Sequence, residues 1–72
     1  MELKHFLRNK RTELLQTQKQ SAEKVGVTPL TWVSWERGQM PGVLHIFKIA
    51  DWAGVKIDDL RPYLVQETKK EP

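Results

Sequence analysis

Apolar residues recur along this chain at helical intervals, and glycine or proline interrupts the pattern at nearly every break. From Leu3 to Leu15 the apolar positions Leu3, Phe6, Leu7 and Leu14 fall at intervals of three, four and seven. That spacing predicts an amphipathic helix with Lys4, Arg8 and Asn9 turned outward. Its end is poorly marked, because no glycine precedes Gln16.

The stretch from Gln18 to Gly38 carries the strongest signals. Its centre, Ala22-Glu23-Lys24-Val25-Gly26-Val27-Thr28-Pro29, reads as one helix ending on Gly26 and a second beginning at Pro29. Thr28 offers a hydroxyl N-cap, and Pro29 suits the first helical position, where a missing N–H costs nothing. Two helices joined so closely must cross steeply, and Ala22 is small enough to sit at the crossing. Val25, Val27, Trp32 and Trp35 fall where a helix-turn-helix buries its apolar groups. Pro29, Leu30, Val33, Ser34 and Arg37 fall on the side left facing outward.

After the turn Gln39-Met40-Pro41-Gly42, the residues Val43, Ile46, Phe47, Ile49, Ala50 and Ala53 predict a helix apolar over a wide arc, as at the centre of a small bundle. Trp52 lies off that arc and is expected half exposed. Gly54 ends the helix. Ile57, Leu60, Tyr63 and Leu64 continue the pattern across Pro62, which either opens a new turn or breaks a short fifth helix. Gln66 to Pro72 carries no apolar residue and is expected to be a disordered tail. The fold class that follows is all-α, a five-helix bundle over residues 1–65 containing a helix-turn-helix.

Seventy-two residues permit one small domain, near the lower limit at which a core holds without staples. The chain has no cysteine, which excludes disulfides and thiolate metal sites. No apolar run approaches the length of a membrane span and the start lacks a signal peptide's apolar segment, so a cytoplasmic protein with no membrane partner is expected. The formal charge is +3 and the pI about 9.5, a modest excess. Its distribution is more telling. Lys4, Arg8, Lys10, Arg11, Lys19, Lys24 and Arg37 make the N-terminal half basic, which leans toward a polyanionic partner.

Catalytic chemistry has almost no support. His5 and His45 stand in no ligand-like cluster, so no metal and no cofactor are expected. Asp58 and Asp59 point apart on a helix and read better as an N-terminal cap. No phosphate loop, nucleophile elbow or small-molecule site is visible.

Thr17-Gln18, Ala22 to Thr28, Trp35-Glu36-Arg37-Gly38, Lys48-Ile49-Ala50-Asp51 and Gly54-Val55 together resemble the Cro and repressor type of helix-turn-helix domain, the xenobiotic response element family of temperate phages and bacterial regulators. The likeness covers roughly residues 3–64, with a slightly short loop after Gly38. It implies a lambda-repressor-like fold that binds double-stranded DNA, and a chain this short looks most like a small phage Cro protein.

By that resemblance, Thr17, Gln18, Thr28, Thr31, Arg37 and Gln39 contact phosphates, while Pro29, Leu30, Val33 and Ser34 read bases in the major groove. Arg11 bridges to Glu36. A homodimer, weak and assembled on DNA, meets through Val55, Lys56, Ile57, Pro62 and Tyr63. The chain departs from the family where Gln16 and Ser21 replace aliphatic residues, which weakens the expected packing of the first two helices. Trp32, larger than its usual counterpart, is the proposed compensation. A reading from another class remains open. Leu30 and Val33 can instead mark a protein interface, making the chain an antitoxin or adaptor.

Overall fold

The computed structural model describes residues 2–64, and the expected tail at 66–72 lies outside them. Helix α1 (Leu3–Glu13) buries Leu3 and Leu7, one turn apart. Phe6 packs its ring on Tyr63 near the other end of the described chain, with centroids 5.2 Å apart. Helices α2 (Gln18–Val25) and α3 (Pro29–Glu36) form the helix-turn-helix. Helix α4 (Val43–Ala53) follows, then a 3-10 turn (Ile57–Leu60) and a single α-turn, α5 (Arg61–Leu64). Pro62 thus stands in the first turn of a new helix, where its missing N–H does no harm. The described residues are all-helical.

The joint between α2 and α3 follows from its local chemistry. Gly26 adopts φ +92°, and its N–H and that of Val27 both donate to the Ala22 carbonyl, at 2.8 and 2.9 Å. Thr28 then caps α3, accepting from the Thr31 N–H at 3.2 Å, with Pro29 inside the first turn. Trp32 and Trp35 point from α3 into the core, where Ala22, Val25, Ile49, Ala50 and Leu60 meet them.

Two expectations are corrected. Helix α1 stops at Glu13, not Leu15, and Leu14 faces water instead of joining the apolar stripe. Leu15 takes φ +57°, and Leu15 and Gln16 donate to the carbonyls of Thr12 and Arg11. As at Gly26, a left-handed residue and a bond to the carbonyl five residues back close the helix, here built on a residue poorly suited to that conformation.

The second correction concerns α4, which buries a narrow stripe of Ile46, Ile49 and Ala50 rather than a wide arc. Val43, Leu44 and Phe47 are exposed, Phe47 at 53%. Among the described residues a 3-10 turn and one α-turn follow α4, and they leave Val43, Leu44 and Phe47 uncovered.

The departures at Gln16 and Ser21 meet each other. The fully buried Ser21 hydroxyl donates to Gln16 Oε1 at 2.7 Å, and the half-buried Trp52 indole donates to the same oxygen at 3.0 Å. A polar pair and its donor thus stand where aliphatic packing was expected, and Trp32, fully buried, packs edge-on against Trp52 at 4.9 Å.

Candidate nucleic-acid interface

Helix α2 begins with a reciprocal cap. Gln20 N–H donates to Thr17 Oγ1 at 3.0 Å, and Thr17 N–H donates to Gln20 Oε1 at 2.9 Å. The Thr-x-x-Gln spacing was a readable signal for this cap. The amides of Gln18 and Lys19 in the first turn remain open at the helix's positive end.

Beside that end, Glu36 gathers the surrounding elements. Its side chain is only 7% exposed and pairs with Arg11, whose Nε donates at 2.6 Å and whose Nη2 donates at 3.1 Å. Gln18 Nε2 donates to it at 3.2 Å and Trp32 Nε1 at 2.5 Å. Burial pushes the Glu36 carboxyl toward a higher pKa. The hydrogen bonds from Arg11, Trp32 and Gln18, with the Arg11 charge, outweigh this and hold it below its ordinary value. One carboxylate therefore locks α1, the head of α2 and the end of α3 together. One Gln18 amide hydrogen is engaged inward by that bond.

The outward side of α3 separates two concavities. One, of about 570 Å3, brings Thr17, Gln18, Val33 and Arg37 together with Arg8 and the Arg11–Glu36 pair. The other, of about 300 Å3, is lined by Thr28, Leu30, Thr31, Ser34, Trp35 and Gln39. Leu30 is 75% exposed; Pro29, Arg37 and Gln39 are exposed, and Val33 and Ser34 half-buried. The Thr28 and Thr31 hydroxyls pair at 2.9 Å, and Ser34 Oγ donates to the Leu30 carbonyl at 3.2 Å. Ser34 thus presents its oxygen outward as an acceptor, its own hydrogen being engaged. Arg8 was not among the expected contact residues. The available signal was its position three residues before Arg11, on the same side of α1.

The residues expected to form a dimer surface differ in exposure. Val55 and Ile57 are half-buried against the core, Lys56 and Pro62 are exposed, and Tyr63 packs on Phe6. Ile57 lines a wholly apolar groove of about 160 Å3 with Val43, Ile46, Phe47 and Leu64. Asp58 and Asp59 serve the 3-10 turn. Asp59 Oδ2 accepts from the Lys56 N–H at 3.1 Å and Asp58 pairs with Arg61 at 3.1 Å. Among the described residues no group of three or more His, Asp or Glu is placed to hold a metal ion, and no helix is long and apolar enough to cross a membrane.

No family model matches the chain, and no solved structure matches it. Among curated proteins it is similar to the cryptic phage CTXphi transcriptional repressor RstR of Vibrio cholerae, 33% identical over 61 residues. The match takes in 83% of this chain and 54% of that protein, so the chain spans about half the length of the repressor it resembles.

Proposed function

We propose that the protein is a sequence-specific double-stranded DNA-binding regulator of transcription, a Cro-like repressor that occupies a palindromic operator as a dimer and blocks polymerase. The observation that carries this reading is the open face of α3, with Leu30 largely exposed and two flanking concavities lined by Thr17, Gln18, Thr28, Thr31, Arg37 and Gln39. Those groups suit phosphate contacts, the open amides at the head of α2 above all. Pro29, Leu30, Val33 and Ser34 face the bases. Leu30 and Val33 pack on thymine methyl groups, and the Ser34 oxygen accepts from adenine N6 or cytosine N4. Repression, rather than activation, draws on the CTXphi relative being a transcriptional repressor and on the family resemblance.

One domain this small reads few base pairs, so two copies on half-sites about one helical turn apart are needed for useful affinity. Val55, Lys56, Ile57, Pro62 and Tyr63 are the proposed meeting residues. The exposed Val43 and Phe47, which share an apolar groove with Ile57, favour a second reading, a module that binds another protein through apolar contact.

Duplex selection followed by titration at two salt concentrations separates the two. Phosphate-mediated binding weakens steeply as salt rises, whereas apolar association does not. Selected sites are expected to contain thymine in each half-site, and Leu30→Ala is expected to relax that preference. A G·C-rich core without recurrent thymine sinks the base assignment. If no duplex binds tighter than bulk competitor at low salt, the protein-binding module stands instead.

A further inference from the structure

We infer that α1 is a DNA-contacting helix in its own right, with Arg8 holding a backbone phosphate beside the one at the head of α2 and Lys4 adding a weaker contact one turn away. The inference rests on the DNA-binding reading and adds to it two residues outside the helix-turn-helix.

Three guanidinium groups line the larger concavity, and their states differ. Arg11 is neutralised by Glu36 at 2.6 and 3.1 Å. Arg8 and Arg37 are exposed, and no carboxylate among the described residues pairs with either. The remaining carboxylate, Glu36, is buried and already balanced, so the net charge facing the opening is that of Arg8 and Arg37. Two free guanidinium forks from different elements, beside a helix's positive end, suit a phosphodiester, whose oxygens accept such forks in pairs.

Lys4 extends the same edge. It lies four residues before Arg8 on α1, and its Nζ comes within 4.0 Å of the position a Cβ would take on Gly38. Its ammonium therefore sits over the turn that closes α3, next in sequence to Arg37 and Gln39. Its partner Glu2, 3.6 Å away and largely exposed, restrains it only weakly. Lys10 provides the contrast: like Lys4 it lines neither concavity, but its ammonium is held by Glu13 at 2.8 Å. A structural role does not account for Arg8, whose side chain makes no hydrogen bond among the described residues, while its carbonyl accepts from the Thr12 hydroxyl at 2.9 Å.

The test is titration of wild type, Arg8→Gln, Lys4→Gln and Lys10→Gln against a random-sequence duplex and the selected duplex. Each phosphate contact contributes about 0.9 to the slope of log affinity against log salt. Arg8→Gln is expected to lower that slope by about this amount, so the gap between wild type and variant narrows about threefold from 50 to 200 mM salt. Both duplexes should lose affinity alike, with an unchanged thermal midpoint. Lys4→Gln should show a smaller loss and Lys10→Gln none. An unchanged slope in Arg8→Gln, with wild type still binding steeply, overturns the inference alone. An equal loss in Lys10→Gln also overturns it, because the effect would then be general charge. Wild type that binds neither duplex overturns the DNA reading and this inference with it.

Discussion

Two polar junctions hold the bundle on either side of the edge-to-face pair Trp32 and Trp52, and the two indoles donate in different directions. Trp32 gives its N–H to Glu36, Trp52 to Gln16. The Glu36 junction is ionic, collects four donated hydrogen bonds and joins α1, α2 and α3 beneath the proposed phosphate sites. The Gln16 junction is neutral, collects two, and joins the α1–α2 turn to α2 and α4. Arg11 links them, donating from Nη1 to the Gln16 carbonyl at 3.3 Å. Charge is concentrated where α1, α2 and α3 meet beneath the proposed DNA face. A neutral pair suffices where the junction only closes the core.

Breaking the ionic junction has the largest expected effect. Glu36→Ala strands the Arg11 guanidinium, the Trp32 N–H and the Gln18 amide at once. Removing one member of a buried pair costs about 3–5 kcal/mol, and the partial exposure of Arg11 puts this case near the lower end. In a domain of this size, thermal unfolding should begin at a midpoint roughly 15 °C lower.

Glu36→Gln keeps an acceptor but removes the charge, and it isolates the pH dependence. Because the folded-state pKa of Glu36 is depressed, its contribution is complete above the ordinary carboxylate value of 4.5 and is lost as pH falls below it, through the folded-state value. Urea titrations down the acid limb should show wild type losing stability there more steeply than Glu36→Gln. Parallel curves would mean that Glu36 is not held ionised by these partners.

The neutral junction should break more gently and without that acid limb. Gln16→Leu leaves the fully buried Ser21 hydroxyl without its acceptor, at about 1–3 kcal/mol, while the half-buried Trp52 N–H can turn to water. The double variant Gln16→Leu/Ser21→Ala removes both partners and should recover most of the loss, since an apolar pair needs no hydrogen bond. Losses that simply add would show that the Ser21–Gln16 bond does not hold this junction.

These contrasts mark what could be read in the residues alone. The turn between α2 and α3 was legible because Gly26, Thr28 and Pro29 encode it locally, whatever packs above. The Arg11 and Glu36 pair came from family likeness, and neither its spacing nor its composition reveals the Trp32 and Gln18 donors that complete it. Gln16 and Ser21 looked like two separate weaknesses, because their compensation is a contact between a turn and a helix face that no periodicity records. The helical interval of Phe47 predicts a core position, yet it is 53% exposed. Whether an apolar side chain at that interval is covered depends on how much chain returns over it.

Leu15 is the smallest and most local test, and it lies between the junctions, immediately before Gln16. A left-handed conformation costs a non-glycine residue about 1–2 kcal/mol, and the Leu15 side chain, 90% exposed, gains almost nothing from burial in return. Replacing it with glycine relieves that strain but adds about 0.5–1 kcal/mol of chain entropy to be lost on folding. The net expectation for Leu15→Gly is a gain of about 0.5 kcal/mol, seen as a rise of a few degrees in the unfolding midpoint. Because the turn's hydrogen bonds, from Leu15 to Thr12 and from Gln16 to Arg11, come from the backbone, both junctions should survive the change. Glu36→Ala and Gln16→Leu should therefore cost the same in the Leu15→Gly background. If Leu15→Gly instead lowers the midpoint, or if it changes the cost of Gln16→Leu, the Leu15 side chain is helping to set the turn that presents Gln16, and the two junctions are coupled through more than Arg11.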